Sequence, residues 1–349
     1  MGFEGSACCG RRISLSVPRF RHLARIADIA AADWDALFPA HYPFTRHTWL
    51  RALEDHGCVS AETGWTPCHL VGEDETGALI AAAPLYLKAH SWGEFVFDFA
   101  WAQGAQSAGL RYYPKLLTAV PFTPAAGPRL GARDADTLAA LIAALLALPD
   151  ANGASGWHGL FLAADDADTV AVAGALRRCD VQFQWHNPAL PYTDFTDFLA
   201  TLTSDKRKKI QQERRKVADA GLRFEIKPGD AFSEAEWAEL YGLYANTYEE
   251  RGQPPYLSLD FFLDYARTPD TPIRVTVASD GPRTVAMALL LQGGDTLYGR
   301  HCAQPRATTD CTSRLATIKA SRIASTKGWH ATTRAHRAST SWHADSTRS

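Results

Sequence analysis

Apolar residues recur along this chain in two rhythms. Spacings of three and four, read with end signals, predict helices over 31–37, 47–56, 136–148, 168–178, 193–202, 205–220, 233–251 and 258–266. Clusters of β-branched or aromatic residues between turn signals predict strands over 69–72, 78–87, 95–99, 160–163, 181–185, 223–226 and 274–278. Asp136 or Thr137 suits the start of the third helix, and Ser233 with Glu236 three places on makes a capping box for the seventh.

One pattern occurs twice. HLVGEDETGALIAAAPLYL (69–87) is a strand, an acidic turn with Gly77 and an apolar strand; VTVASDGPRTVAMALLL (275–291) repeats that plan around Asp280-Gly281-Pro282. Each is followed by a further strand candidate, 95–99 and 296–300. Two antiparallel meanders interspersed with helices predict duplicated α/β domains. The competing reading is two unrelated hairpins.

Length and composition fit this picture. The chain has 349 residues, 46% apolar and 21% charged, which suits two globular domains and excludes collagen-like or wholly disordered classes. Its longest apolar run, Leu138 to Leu148, falls short of the ~20 residues of a spanning helix, so no membrane span is expected. Seven cysteines, at 8, 9, 58, 68, 179, 302 and 311, show no CxxC pairing, which argues against a zinc ribbon or disulfide framework and for a reducing compartment. The opening MGFEGSACCGRR lacks the apolar core of a signal peptide. Gly2 and Ser6 match a myristoylation pattern, with Cys8 and Cys9 as acylation candidates; the plainer reading is a disordered leader.

Net charge hides a split. The total is −2, but residues 301–349 carry eight Lys/Arg against Asp310 and Asp345, leaving the first 300 residues at −8. Beyond Arg300 there is no Val, Phe, Tyr, Glu, Asn or Met, and Ala, Thr, Ser and Arg dominate. Such a segment has little to bury.

The sharpest chemical feature is TSDKRKKIQQERRKV, 203–217, where Lys206, Arg207, Lys208, Lys209, Arg214, Arg215 and Lys216 crowd one helix. That field suits the phosphates of a nucleotide cofactor or of RNA, or an acidic polymer. Equally open is a solvated face in which Asp205 and Glu213 pair with the bases. A second group, His90, Glu94 and Asp98 around one strand candidate with Tyr112, Tyr113 and Lys115 in the helix or loop after it, fits a polar pocket for acid/base work or a set of surface groups. No Walker loop, HExxH motif or nucleophile elbow is present, so P-loop phosphoryl transfer, zinc proteolysis and serine hydrolysis lack support.

The stretches APLYLKAHSWGEFVFDFAWA, RYYPKLLTAVPFTPAAGPRL, DKRKKIQQERRKV, PPYLSLDFF and LYGR resemble a bacterial family of FemAB-like proteins, described as GNAT-type N-acyltransferases or peptidoglycan biosynthesis/recognition proteins. The resemblance runs from about Ala31 to Arg300. It implies an α/β protein of tandem GNAT-like domains, mixed and mostly antiparallel sheets flanked by helices, in the bacterial cytoplasm. It implies transfer of an acyl or aminoacyl group to an amine, of a small molecule or cell-wall precursor, with acyl-CoA or aminoacyl-tRNA as co-substrate and no resident cofactor or metal. The alternative is a noncatalytic peptidoglycan-related recognition protein. Under the resemblance the substrate or anion contacts fall on Lys206, Arg207, Lys208, Lys209, Arg214 and Arg215, and on Lys115, Tyr256, Tyr298 and Arg300; no residue is singled out as the catalytic base. No Gly-rich pyrophosphate loop follows Leu297-Tyr298-Gly299-Arg300, the place expected for acyl-CoA.

Family members continue after Leu-Tyr-Gly-Arg with an aromatic, acidic helix and a Gly-Ala-Gln-Gly-Glu-His-Lys segment, and this chain has neither as written. Joining the third base of each codon to the first two of the next lets Asp310 to Lys319 read Leu-His-Phe-Glu-(Thr/Ala)-Cys-Tyr-Tyr-Gln. The same shift lets Arg334 to Ser346 read Gly-Ala-Gln-Gly-Glu-His-Lys-Leu-Ala-Arg-Gly-Phe. A frameshift between about His301 and Asp310 is therefore expected. The division that follows is a leader (1–20), a first domain (21–190), a truncated second domain (191–300) and an irregular, loosely packed tail (301–349), in a chain inactive as written.

Overall fold

In a computed structural model the described residues are 18–182, 184–185, 192, 194–219, 221–303 and 330–333. Of the leader expected over 1–20, residues 1–17 with the acylation candidates lie outside them, as does most of the tail, while Arg19 and Phe20 begin the first strand rather than a disordered segment. The first part of the chain contains β1 (Arg19–Leu23), α1 (Ala31–Asp35), α2 (His47–Asp55), β2 (Trp65–Pro67), β3 (His69–Glu73), β4 (Leu79–Ala83), β5 (Leu85–Lys88), α3 (Phe99–Ser107), β6 (Lys115–Thr118), β7 (Gly131–Ala132), α4 (Ala135–Ala151), β8 (Trp157–Gly159), α5 (Ala164–Val172) and β9 (Gln184–Trp185). The second contains α6 (Phe195–Ala200), α7 (Ser204–Asp219), β10 (Arg223–Pro228), α8 (Glu234–Glu249), α9 (Leu259–Tyr265), β11 (Ile273–Asp280), β12 (Arg283–Gly293), β13 (Thr296–Ala303) and β14 (His330–Thr333).

The duplicated plan is visible in the strand pairing. In the second half β10, β11, β12 and β13 pair antiparallel in turn, and β13 pairs parallel with β14. In the first half β1, β3 and β4 pair antiparallel, β5 pairs antiparallel with β6, and β6 pairs parallel with β8 across α4. The difference is Pro84, which has no N–H and splits one long strand into β4 and β5, so the first half forms two four-stranded sheets where the second forms one of six. His69 fills the gap. Its Nδ1 accepts the Leu85 N–H at 3.2 Å, which leaves Nε2 to donate to Glu54 Oε1 at 2.7 Å, while Glu54 Oε2 takes the Ile26 N–H at 2.9 Å. The expected α/β class of mixed, mostly antiparallel sheets flanked by helices is the fold observed.

Several boundaries differ for physical reasons. The strand expected over 95–99 is a loop entering α3, because Phe95 and Phe97 take left-handed backbone (φ 63° and 52°); the third strand of the first repeat is Lys115–Thr118, expected as loop or helix. The strand expected over 160–163 is Trp157–Gly159, ended by Phe161 at φ 53°. The helix expected over 168–178 is Ala164–Val172, and the third helix is capped by Asp134, whose carboxylate accepts from Thr137 N, not by Asp136 or Thr137. The Ser233–Glu236 capping box forms as expected. Of 181–185, the strand is 184–185, and it joins the second sheet through β14. The tail expected to be irregular contributes 301–303 to β13 and 330–333 as β14.

One apolar core runs through both halves. Trp49 meets Phe261 and Tyr265 at ring-centroid distances of 5.3 and 5.0 Å, Phe44 and Tyr42 meet Tyr298 at 5.1 and 5.8 Å, and Phe122 stacks on Tyr256 at 4.8 Å. A second cluster packs Leu141, Ile142 and Leu145 of α4 on the first sheets. The halves approach closely at Gly293, where an added Cβ would lie 2.2 Å from the His41 carbonyl oxygen and 2.7 Å from Pro43 Cδ. Gly293→Ala must move backbone, so it is expected to lower stability by about 1–3 kcal/mol in urea unfolding; an unchanged midpoint would contradict this close approach.

Candidate functional site

Adjacent antiparallel strands place Lys88 of β5 directly opposite Lys115 of β6. Both are fully buried. Like charges facing across a ladder repel, and burial adds desolvation, so each ammonium needs compensation. Lys115 Nζ obtains it in full: it donates to Ser91 Oγ at 2.9 Å, Glu94 Oε2 at 2.8 Å and Asp98 Oδ2 at 2.7 Å. Lys88 has less. Its Nζ lies 3.8 Å from the centre of the Trp65 ring and donates to the Trp92 carbonyl at 3.3 Å.

The electrostatics follow from these partner sets. Burial, outweighing the attraction of Glu94 and Asp98 and reinforced by Lys115, lowers Lys88 to about 7. Burial also raises Glu94, against the pull of Lys115. In Asp98 burial works upward too, but hydrogen bonds from Lys115, Ser91 and Tyr112 together outweigh it and hold the carboxyl at about 2. Tyr112 donates its hydroxyl to Asp98 Oδ2 at 2.6 Å, and its own ionisation is pushed up by burial and that carboxylate. His158, edge-on to Tyr112, is lowered by burial to about 4 and is neutral at pH 7. Glu94 Oε1 and Asp98 Oδ1 are buried with no hydrogen-bond partner among the described residues.

From this network a band of aromatic rings crosses into the second half. Tyr256 packs against Phe95, Phe122 and Tyr248, at ring-centroid distances of 6.1, 4.8 and 5.2 Å. Tyr248, raised by burial to about 12 against the pull of Arg300, has its hydroxyl 3.4 Å from His301 Nε2. Further along, Tyr298 packs edge-on against both Tyr42 and Phe44, and the Arg300 guanidinium lies 5.9 Å from the Phe44 ring centre. Arg129, fully buried, donates to the Tyr42 hydroxyl at 2.7 Å and to the Ala125 carbonyl at 2.5 Å.

Four of the residues expected to contact substrate, Lys115, Tyr256, Tyr298 and Arg300, thus belong to one network and band. The cations of α7 stand on a different element. Lys206, Lys208, Lys209 and Arg215 are exposed, Arg207 donates Nη2 to the Leu202 carbonyl at 3.1 Å, and Arg214 lies 4.4 Å from the Phe195 ring centre. His90, Glu94 and Asp98 lie on the loop after β5 rather than on a strand.

Lys88, Tyr42, Arg129 and His301 escaped the sequence reading. Only Lys88 left a signal, a lysine at the end of the apolar run LIAAAPLYLK. A Cys58, Ser258, His56 and Asp264 grouping is no nucleophile–base pair: the His56 ring bonds Asp264 at 3.0 Å, while the hydroxyl and the thiol face the His56 carbonyl, and burial pushes the thiol up. Among the described residues no group of three or more His, Cys, Asp or Glu could hold a metal ion, and no helix is long and apolar enough to cross a membrane.

Two α/β halves in tandem, the first with two four-stranded sheets and the second with one of six, share a core and a polar seam, and these define the class of the protein. The chain belongs to the FemAB-like family, described as peptidoglycan biosynthesis/recognition, whose model matches residues 25–308. Solved structures of similar shape include FemX (11% identity, covering 91% of this chain and 90% of that one, TM-score 0.48). Others are L-PGS from Bacillus licheniformis (12%, 84% and 78%, 0.46) and a tandem GNAT protein from the clavulanic acid biosynthesis pathway (11%, 93% and 91%, 0.46). Comparison with curated proteins gives no match.

Proposed function

We propose that this fold serves an N-acyltransferase that passes an aminoacyl or acyl group to an amine of a peptidoglycan precursor, in the cytoplasm. Family membership supports the peptidoglycan setting. The observation that carries the donor assignment is α7, where seven Lys/Arg stand against Asp205, Glu213 and Asp219 in a chain otherwise net acidic. A helix so charged, with two apolar positions, Ile210 and Val217, fits a phosphate-rich donor such as aminoacyl-tRNA better than a single pyrophosphate.

In this reading the acceptor amine attacks the activated carbonyl of the donor, a base takes the amine proton, and hydrogen-bond donors along the band hold the oxyanion. Lys115, Tyr256, Tyr298 and Arg300 supply polar groups there. The frameshift proposal stands beside this one. The Glu-His-Lys group of the shifted frame is absent from the chain as written, so transfer is expected of a frame-restored protein, and the gene's codons over 296–349 decide the matter. The second reading, a recognition protein that binds without turnover, is favoured by the same absence.

The test uses charged tRNA and acyl-CoA as alternative donors. Lys206→Gln, Lys208→Gln and Arg215→Gln combined should leave stability unchanged, since all three are exposed. Each lost phosphate contact should reduce the salt dependence of tRNA affinity by a slope of about 0.7–0.9. Equal tRNA binding by the variant and the parent would refute the role of α7. Binding by the frame-restored protein without amine acylation would establish the recognition reading.

A further inference from the structure

The large apolar side chains that the described residues expose all fall in two short segments, 92–110 and 172–181. In the first, Trp101 is 61% exposed and Leu110 66%; in the second, Val172 is 90% exposed and Leu176 fully so. The Arg178 guanidinium lies 5.5 Å from the Trp101 ring centre, so the two segments adjoin, and Trp92 packs on Phe99 at 5.2 Å. Scattered exposed apolar residues are ordinary, but their collection on one face marks a contact surface. α3 lies at its centre, burying none of its residues and carrying no charge from Phe99 to Leu110. A helix that met only water would carry charges on its outer face.

Charge at this face says what covers it. Arg111 follows Leu110 and Arg178 stands on Trp101, and neither has a carboxylate within 4.0 Å among the described residues. Arg177 is taken up by Asp168. Of the three acids in the two segments, Glu94 and Asp98 are buried on Lys115, which leaves Asp180 as the exposed one. Asp165 and Asp166 stand in the first turn of α5, about 10 Å before Val172 at its end. A second copy of the chain would bring the same rings and the same cations, and so no counter-charge. A bilayer with anionic headgroups brings both hydrocarbon for the apolar side chains and phosphates for the arginines, and tryptophan beside arginine is the side-chain pairing that suits the boundary between the two.

We propose that this face docks the protein on the surface of an anionic phospholipid bilayer, with α3 lying in the interface, Trp101 and Leu176 inserted below the headgroups, and Arg111 and Arg178 on lipid phosphates. The attachment is peripheral, since no helix among the described residues is long and apolar enough to cross. It is independent of which group the protein transfers.

Co-sedimentation of the intact chain with phosphatidylcholine vesicles, with and without phosphatidylglycerol, tests it. The parent should bind the phosphatidylglycerol vesicles more tightly, and added salt should weaken that binding. Trp101→Ser combined with Leu176→Ser should weaken it by at least about tenfold. Both side chains are exposed, so this variant should fold as the parent does. The cations of α7 also attract an anionic surface, but this variant keeps them all, so its difference from the parent reads the apolar face alone. Arg111→Gln and Arg178→Gln should each cost about fivefold on phosphatidylglycerol vesicles. Equal vesicle binding by the parent and the Trp101→Ser, Leu176→Ser variant, or no binding by the parent, would overturn the docking. So would self-association of the parent without lipid that this variant abolishes, measured by sedimentation velocity, which would assign the face to a second copy of the chain.

Discussion

Lys115→Met is expected to destabilise the protein by about 3–5 kcal/mol, the range for removing one side of a buried ion pair. The reason lies in what stays behind. Glu94 and Asp98 lose their shared donor while both remain buried, and each already has one carboxylate oxygen without a hydrogen bond among the described residues. Ser91 and Tyr112 still donate to Asp98, so Glu94, already shifted toward its neutral form by burial, is the group that protonates to relieve the loss. Urea unfolding at neutral pH measures the effect. Adding Glu94→Gln and Asp98→Asn should recover much of it, because the orphaned charges are then gone. A Lys115→Met midpoint equal to that of the parent would show that the ammonium does not hold the two carboxylates.

The facing lysine should behave oppositely. Lys88→Met is expected to stabilise the protein by about 1–4 kcal/mol, as when buried charges are replaced by apolar groups of similar volume. Among the described residues Lys88 has no carboxylate within ion-pair distance, and its loss leaves the Trp92 carbonyl still bonded to Trp65 Nε1. The gain depends on pH with a definite sign. Burial lowers Lys88 from its ordinary 10.5 to about 7, so between these values the unfolded chain binds a proton that the native chain does not, and the contribution of Lys88 to native stability rises with pH. The destabilisation is therefore complete below about pH 7 and fades toward pH 10.5, and the advantage of Lys88→Met should fade with it. Unfolding of both proteins at pH 6 and 10 checks this. A Lys88→Met protein less stable than the parent at pH 6 would mean that the stacking on Trp65 outweighs desolvation.

The sequence made the duplicated meander legible because both copies keep an apolar hairpin around a Gly-containing turn, at Gly77 and at Gly281. It misplaced the third strand of the first copy. FVFDF alternates as a strand does, but Asp98 and Glu94 are drawn inward by Lys115, which forces Phe95 and Phe97 into conformations that no strand propensity anticipates. Lys115 itself was legible as chemistry, though not as the end of a buried strand, because a lysine beside Tyr112 and Tyr113 reads as surface until its counter-ions, 17 and 21 residues away, are brought to it. Lys88 was hidden for the same reason. The cations of α7 were fully visible, since charge on an exposed helix is a local property. The band from Tyr42 to Tyr256 was not, because it depends on how two distant halves meet.

That meeting limits how the protein can be dissected. Phe44, Trp49 and Phe122 from the front of the chain are covered by rings from residues 256–298. Either half excised alone would present that aromatic surface to water, so biochemical work on separate pieces would be reporting on sticky fragments rather than on domains.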